Sequence, residues 1–147
     1  MANILALTRS QPQRTLAAGE ALIEAGDTGG DLYVLEEGRL RVTREGIDIA
    51  TISEPGALIG EMSVLLGDDH SASVRAETAT VVRVIEDALP FLERTPLMAL
   101  HVATLACARL EETSRLAVQF AKEAEGPPDH SVFGRLFGAL TAQPVRG

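Results

Sequence analysis

The chain has 147 residues, 46% hydrophobic but only 3% aromatic and without tryptophan, so it has the length of one domain whose core must come from Leu, Val, Ile and Ala. Its net charge of −8 argues against a broad nucleic-acid or anionic-membrane footprint. No run of about 18 apolar residues marks a transmembrane helix, the start MANI lacks the basic opening of a secretory signal, and the single Cys107 allows no internal disulfide, which together point to the cytoplasm.

From Leu16 to about Ile85 the chain has the texture of β-structure. Glycines recur at 19, 26, 29, 30, 38, 46, 56, 60 and 67, and the runs between them are short and rich in Val, Ile and Leu. DLYVLEEG and RLRVTREGIDIATI predict strand, turn, strand, turn, strand. Leu40 and Val42 alternate with Arg39, Arg41 and Thr43, giving one buried and one wet face. SASVRAETATVVRVIE predicts two further strands broken near Glu77-Thr78. Many short strands at even spacing indicate an antiparallel sandwich or jelly-roll barrel.

Within this region Ile59–Ala76, IGEMSVLLGDDHSASVRA, combines a glycine, a carboxylate, an apolar helical segment and an acidic turn. A short helix flanked by small residues can cradle an anion, because its first amides have no partner inside the helix. A carboxylate at the head of such a helix is either a ligand acceptor or a favourable dipole charge.

After Glu86 glycine disappears until Gly126, and Ala88–Glu125 is helical in pattern, with Pro90 and Pro96 suited to first turns. Ala99, Ala103, Ala106, Leu110, Thr113, Ala117, Phe120 and Ala124 form an alanine-rich heptad seam. The seam packs either on the domain's own barrel or on a second copy. Leu97, Leu100, Leu105 and Leu116 lie largely off it and are available for the barrel, which leaves the seam for a homodimer. Gly126-Pro127-Pro128-Asp129 forms a hinge. Beyond it Val132, Phe133, Leu136, Phe137 and Leu140 fall on one side of a short amphipathic tail with Ser131 as N-cap, a segment that needs a surface to fold on. His101 and Cys107 have no ligand-spaced companions, and there is no nucleophile with a base partner, no glycine-rich nucleoside-triphosphate loop and no metal motif, so no enzyme, metal or resident cofactor is expected.

Three stretches in order carry a resemblance: AAGEALIEAGDTGGDLYVLEEGRLRV, PGALIGEMSVLLGDDHSASVRAETAT and FLERTPLMALHVATLACARLEETSRL. Over roughly Leu16–Glu125 the chain resembles the cyclic nucleotide-binding domain of bacterial catabolite activators, kinase regulatory subunits and gated channels. The resemblance implies a mainly β α+β fold, an antiparallel β-roll over about 16–86 followed by C-terminal helices over about 88–125. Residues 1–126 would form the domain, and 127–147 a hinge and tail. It implies that Glu61 accepts from a ribose 2′-hydroxyl and that amides around Gly60 and Met62 hold the sugar–phosphate edge. Ser71 and Ala72 match the small residues that follow a phosphate-binding arginine, but that arginine is His70, and the proline that often precedes it is Asp69. Thr113-Ser114 matches a pair that reads the adenine edge. The expected ligand is cyclic AMP or a related nucleotide, and the output passes to an unidentified protein partner, since no helix-turn-helix follows the long helix. Arginine carries a fixed charge on a planar fork matched to phosphate, whereas histidine titrates near 6.5 and Asp68 and Asp69 repel an anion. The site is therefore either a weaker, pH-dependent nucleotide site, with Arg75 as a candidate substitute cation, or a pocket that has lost its ligand and leaves the domain as a dimerising interaction module.

Overall fold

A computed structural model describes residues 3–123. Residues up to Val102 form one compact unit and those from Ala103 onward a second. The first contains the β-roll expected from the sequence: eight short antiparallel strands in two four-stranded sheets. One sheet runs β1 (Gln13–Leu16), β8 (Thr80–Ile85), β3 (Leu32–Glu37), β6 (Leu58–Ile59); the other runs β2 (Ala21–Ile23), β7 (Ser73–Ala76), β4 (Leu40–Arg44), β5 (Ile47–Ile52). The strand break near Glu77-Thr78 falls where the sequence puts it, between β7 and β8. The turn joining β4 to β5 uses Glu45 and Gly46, both at positive φ (51° and 78°), the pairing that matches the twist of a two-residue hairpin.

Leu16, Leu22, Ile23, Leu35, Leu40, Ile59, Val74, Ala76 and Val82 meet between the sheets, with Tyr33 among them, the adjacent Leu22 and Ile23 both joining at a register shift in β2. On β4 and β7 the outward neighbours are polar, Arg41 and Arg75 standing exposed beside buried Leu40, Val74 and Ala76, whereas β3 is apolar on both faces, with Leu32 and Val34 also buried. Strand β5 departs from the pattern. It is the sheet's edge, and Ile47 and Ile49 are exposed at 66% and 55%.

A short helix, α1 (Ile4–Leu7), precedes the sheets, its Leu5 N–H donating to the side chain of the N-cap Asn3 at 3.0 Å. Arg83 of β8 ties it down. Its guanidinium donates to the Leu5 carbonyl and, from two nitrogens, to both carboxylate oxygens of Glu36 on β3 at 3.1 and 3.4 Å. The hydrogen bonds from Arg83 hold the Glu36 carboxyl below the usual carboxylate range. A carboxyl whose folded pKa is depressed adds stability that is complete above its unfolded value and is lost as pH falls through the folded one. Glu36→Gln is accordingly expected to unfold at a lower temperature than the parent at pH 7, with the gap closing as pH drops below about 4, the ordinary range of a glutamate. Thermal unfolding followed across that range checks it, and a gap constant with pH would refute it.

Two helices follow the β-roll, α3 (Ala88–Arg94) and α4 (Pro96–Glu123), broken at Thr95. Pro96 is the first residue of α4, where its missing N–H costs nothing. The face that α4 buries in the first unit differs from the expectation. Met98 and Val102 are buried at 0% and 1%, whereas Leu97 and Leu100 stand 58% and 66% exposed. Met98 and Val102 are four residues apart and share one helix face; Leu97 and Leu100 lie on another. Farther along α4, Leu116 is also exposed, at 43%, and of the seam residues Leu110 and Phe120 are exposed while Ala117 is buried. Ala124, the hinge and the tail with Ser131, Phe133 and Phe137 lie outside the described residues.

Candidate functional site

Strand β6 ends at Ile59, and the chain turns through Gly60 into a six-residue helix, α2 (Glu61–Leu66). Gly60 has φ +91°, a left-handed conformation that an L side chain rarely adopts. A Cβ there would stand 2.8 Å from the Asp31 carbonyl oxygen, 3.5 Å from Cε1 of His70 and 3.7 Å from Cδ2 of Tyr33. The absent side chain thus lets three elements converge on one point: the segment before β3, β3 itself and the loop that carries His70.

Helix α2 inverts the usual pattern of an amphipathic helix. Its carboxylate Glu61 and hydroxyl Ser63 are buried at 7% and 5%, while Met62, Leu65 and Leu66 are exposed at 62%, 50% and 63%. Burying a carboxylate is costly unless a partner meets it, and Glu61 is not without one. Ser63 Oγ donates to the Gly60 carbonyl at 2.8 Å and accepts from the Gly30 N–H at 3.4 Å, locking the helix head to the neighbouring loop. With only six residues, α2 has a turn and a half, so the arrangement rests on its side chains and the loop's backbone groups more than on a helix dipole.

The loop Glu24–Asp31 organises everything around it. The Gly26 N–H donates to the His70 carbonyl at 2.8 Å, and the His70 N–H donates to the Asp27 carbonyl at 2.9 Å. The Ala25 N–H donates to Ser73 Oγ and the Glu24 N–H to Asp27 Oδ2, both at 2.9 Å. His70 is thereby held at its backbone from both sides, half-buried, with its ring against Gly60. At the other end of the loop the Ala88 N–H donates to the Gly30 carbonyl at 2.8 Å and the Asp87 N–H to Asp31 Oδ1 at 3.0 Å, which anchors the start of α3. Gly29 packs so closely on α2 that a Cβ would fall 2.4 Å from Ser63 Cβ and 2.5 Å from the Asp68 carbonyl oxygen.

Of the residues singled out from sequence, Gly60, Glu61 and His70 come together here, with Ala72 half-buried just before β7. Ser71 is exposed at the loop crest and Met62 faces outward. Thr113 (exposed) and Ser114 (half-buried) lie in the part of α4 that belongs to the second unit. Arg75 does not replace the missing cassette arginine. It projects from the outer face of β7, where it pairs with Glu24 at 2.6 Å and donates to the Gly19 carbonyl at 3.3 Å. His70 is then the cassette's own cationic candidate, amid Asp27, Asp31, Glu61, Asp68 and Asp69. Two contributors were missed from the sequence. Gly29 was one glycine among many, and Tyr33 read simply as a strand residue.

The cyclic nucleotide-binding domain family matches residues 13–89. The cyclic AMP receptor protein of Thermus thermophilus is 34% identical over 114 residues, covering 74% of this chain and 52% of that protein. The crystal structure of the Thermus thermophilus catabolite activator protein superposes with a TM-score of 0.70 at 28% identity, over 81% of this chain and 59% of that one. A structure solved for a cyclic-GMP-dependent signalling pathway that regulates bacterial phytopathogenesis superposes with a TM-score of 0.63 at 26% identity, over 76% of this chain and 94% of that one. The chain thus spans about half the length of the curated relative. Among the described residues no helix is long and apolar enough to cross a membrane.

Proposed function

The chain belongs to the cyclic nucleotide-binding domain family, and from that premise we propose that it is a regulatory domain that binds a cyclic nucleotide, cyclic AMP first, and reports the bound state to a protein partner. The observation that carries the reading is the buried Glu61 carboxylate at the head of a short helix whose Met62, Leu65 and Leu66 face outward, beside Gly60 and His70. Glu61 accepts from a ribose hydroxyl, the backbone at Gly60 and Met62 lines the sugar–phosphate edge, and His70, Ser71 and Ala72 receive the cyclic phosphate. Thr113 and Ser114 read the base. The loop Glu24–Asp31 supports a route for output, because it binds His70 at one end and the first amides of α3 at the other. A ligand favours whichever arrangement of these elements it binds better, and by no more than that difference in affinity. In this reading the domain is cytoplasmic, has no catalytic role and pairs with a second copy through the Ala99–Ala124 seam of its long helix.

A histidine gains charge as pH falls from 7.5 to 6, and the imidazolium is the form that attracts a phosphate. Titration calorimetry with cyclic AMP and cyclic GMP is therefore expected to show tighter binding at pH 6 than at pH 7.5. No heat and no shift in unfolding temperature at millimolar nucleotide would overturn the reading. It would favour the second one, which the missing arginine supports: a domain that has lost its ligand and serves as a dimerising interaction module.

A further inference from the structure

Tyr33 stands out in the core between the sheets. The other members of that cluster are aliphatic, and Tyr33 is more than nine-tenths buried, at 8% exposure. Its ring edge lies 3.7 Å from where a Gly60 side chain would begin, beside the His70 ring. A tyrosine brought into a core normally pairs its hydroxyl, since an orphaned buried hydroxyl costs about 1–3 kcal/mol. The Tyr33 hydroxyl has no hydrogen-bond partner among the described residues, and no side-chain polar atom there is both sealed from water and unpaired. It therefore opens to water while the rest of the side chain is enclosed. The charged groups within electrostatic reach are Asp31 and Asp27 on the loop that clamps His70, Arg14 on β1 and Glu86 just after β8. The ring edge beside Gly60 and the His70 ring puts the side chain on the cassette side of the core.

We propose that Tyr33 is a ligand-positioning residue of this site, its ring walling the Gly60 side and its hydroxyl donating to the sugar–phosphate edge of the bound cyclic nucleotide. The inference rests on the nucleotide-binding reading above and adds a contact that the cassette sequence does not contain. Burial first, and the Asp31 charge next, hold the phenol proton above its usual range, so the group stays a neutral donor throughout the working pH range. A neutral donor suits this acidic setting. It serves an anion or a hydroxyl without bringing a charge out of water, and it offsets part of what the cassette lacks with histidine in place of arginine.

The test compares the full chain with its Tyr33→Phe variant, which keeps the ring and removes only the hydroxyl. Cyclic AMP and cyclic GMP are titrated into both, and thermal unfolding is recorded without nucleotide. The expected result is binding weakened about 3- to 10-fold, the loss of one hydrogen bond, with the nucleotide-free unfolding temperature unchanged or raised. Equal affinity in parent and variant overturns the inference while leaving the nucleotide reading intact. A nucleotide-free variant that melts several degrees lower overturns it too, because the hydroxyl then has a structural partner. A parent that binds neither nucleotide overturns the reading itself and this inference with it.

Discussion

His70→Arg is expected to bind cyclic nucleotide roughly 10- to 100-fold more tightly than the parent at pH 7.5, the gain from one charge-assisted hydrogen bond of about 1.5–3 kcal/mol. The backbone is already prepared for the exchange. Both the N–H and the carbonyl of residue 70 are bonded to the Glu24–Asp31 loop, so the new side chain starts from a fixed point beside Gly60. Arginine also keeps its charge at every accessible pH. Affinity in the variant should be flat between pH 6 and 7.5, where the parent's is sloped. No competing cation stands in the cassette, since Arg75 is committed to Glu24 on the outer face of its strand. Calorimetry at the two pH values decides the matter. An arginine variant no tighter than the parent would mean that the pocket around residue 70 no longer accepts a phosphate, whatever residue stands there.

Gly29→Ala is expected to lower stability by about 1–3 kcal/mol, the usual cost of forcing a methyl into a filled space, and to weaken nucleotide binding at the same time. The added Cβ would meet Ser63 Cβ at 2.4 Å and the Asp68 carbonyl oxygen at 2.5 Å. Neither is the free end of a flexible side chain. Relief requires the loop to lift off α2, which breaks the Gly30–Ser63 contact and drags the two backbone bonds that hold His70. A fall of several degrees in unfolding temperature together with a loss of affinity supports this account. A stable variant with parental binding would show that the loop does not position the cassette.

Much of the fold was legible beforehand because it depends on local patterns. Short Val- and Leu-rich runs between turn glycines, and alternation such as Leu40-Arg41-Val42, predict antiparallel strands wherever one face is to be buried. The change to a glycine-free stretch after Glu86 marks the helices. The short helix after Gly60 was legible in the same way, because GEMSVL is a contiguous string whose glycine and apolar run act locally. The faces of α4 were harder to read. A helix rich in Leu and Ala offers several apolar stripes, and sequence alone ranks none of them; packing chose Met98 and Val102 over Leu97 and Leu100.

What the sequence by itself determined, then, was the β-roll, its helices and the glycine turn at Gly60 that leads into a short helix headed by Glu61. Only the tertiary structure decided that Arg75 faces away and is paired, that Gly29 is where the loop and α2 touch, and that Tyr33 closes on Gly60 with its hydroxyl unpartnered among the described residues. The reason is one of range. Backbone propensity and hydrophobic period act between residues a few positions apart, whereas these three features join residues roughly 30 to 50 positions apart, whose meeting depends on how the two sheets close.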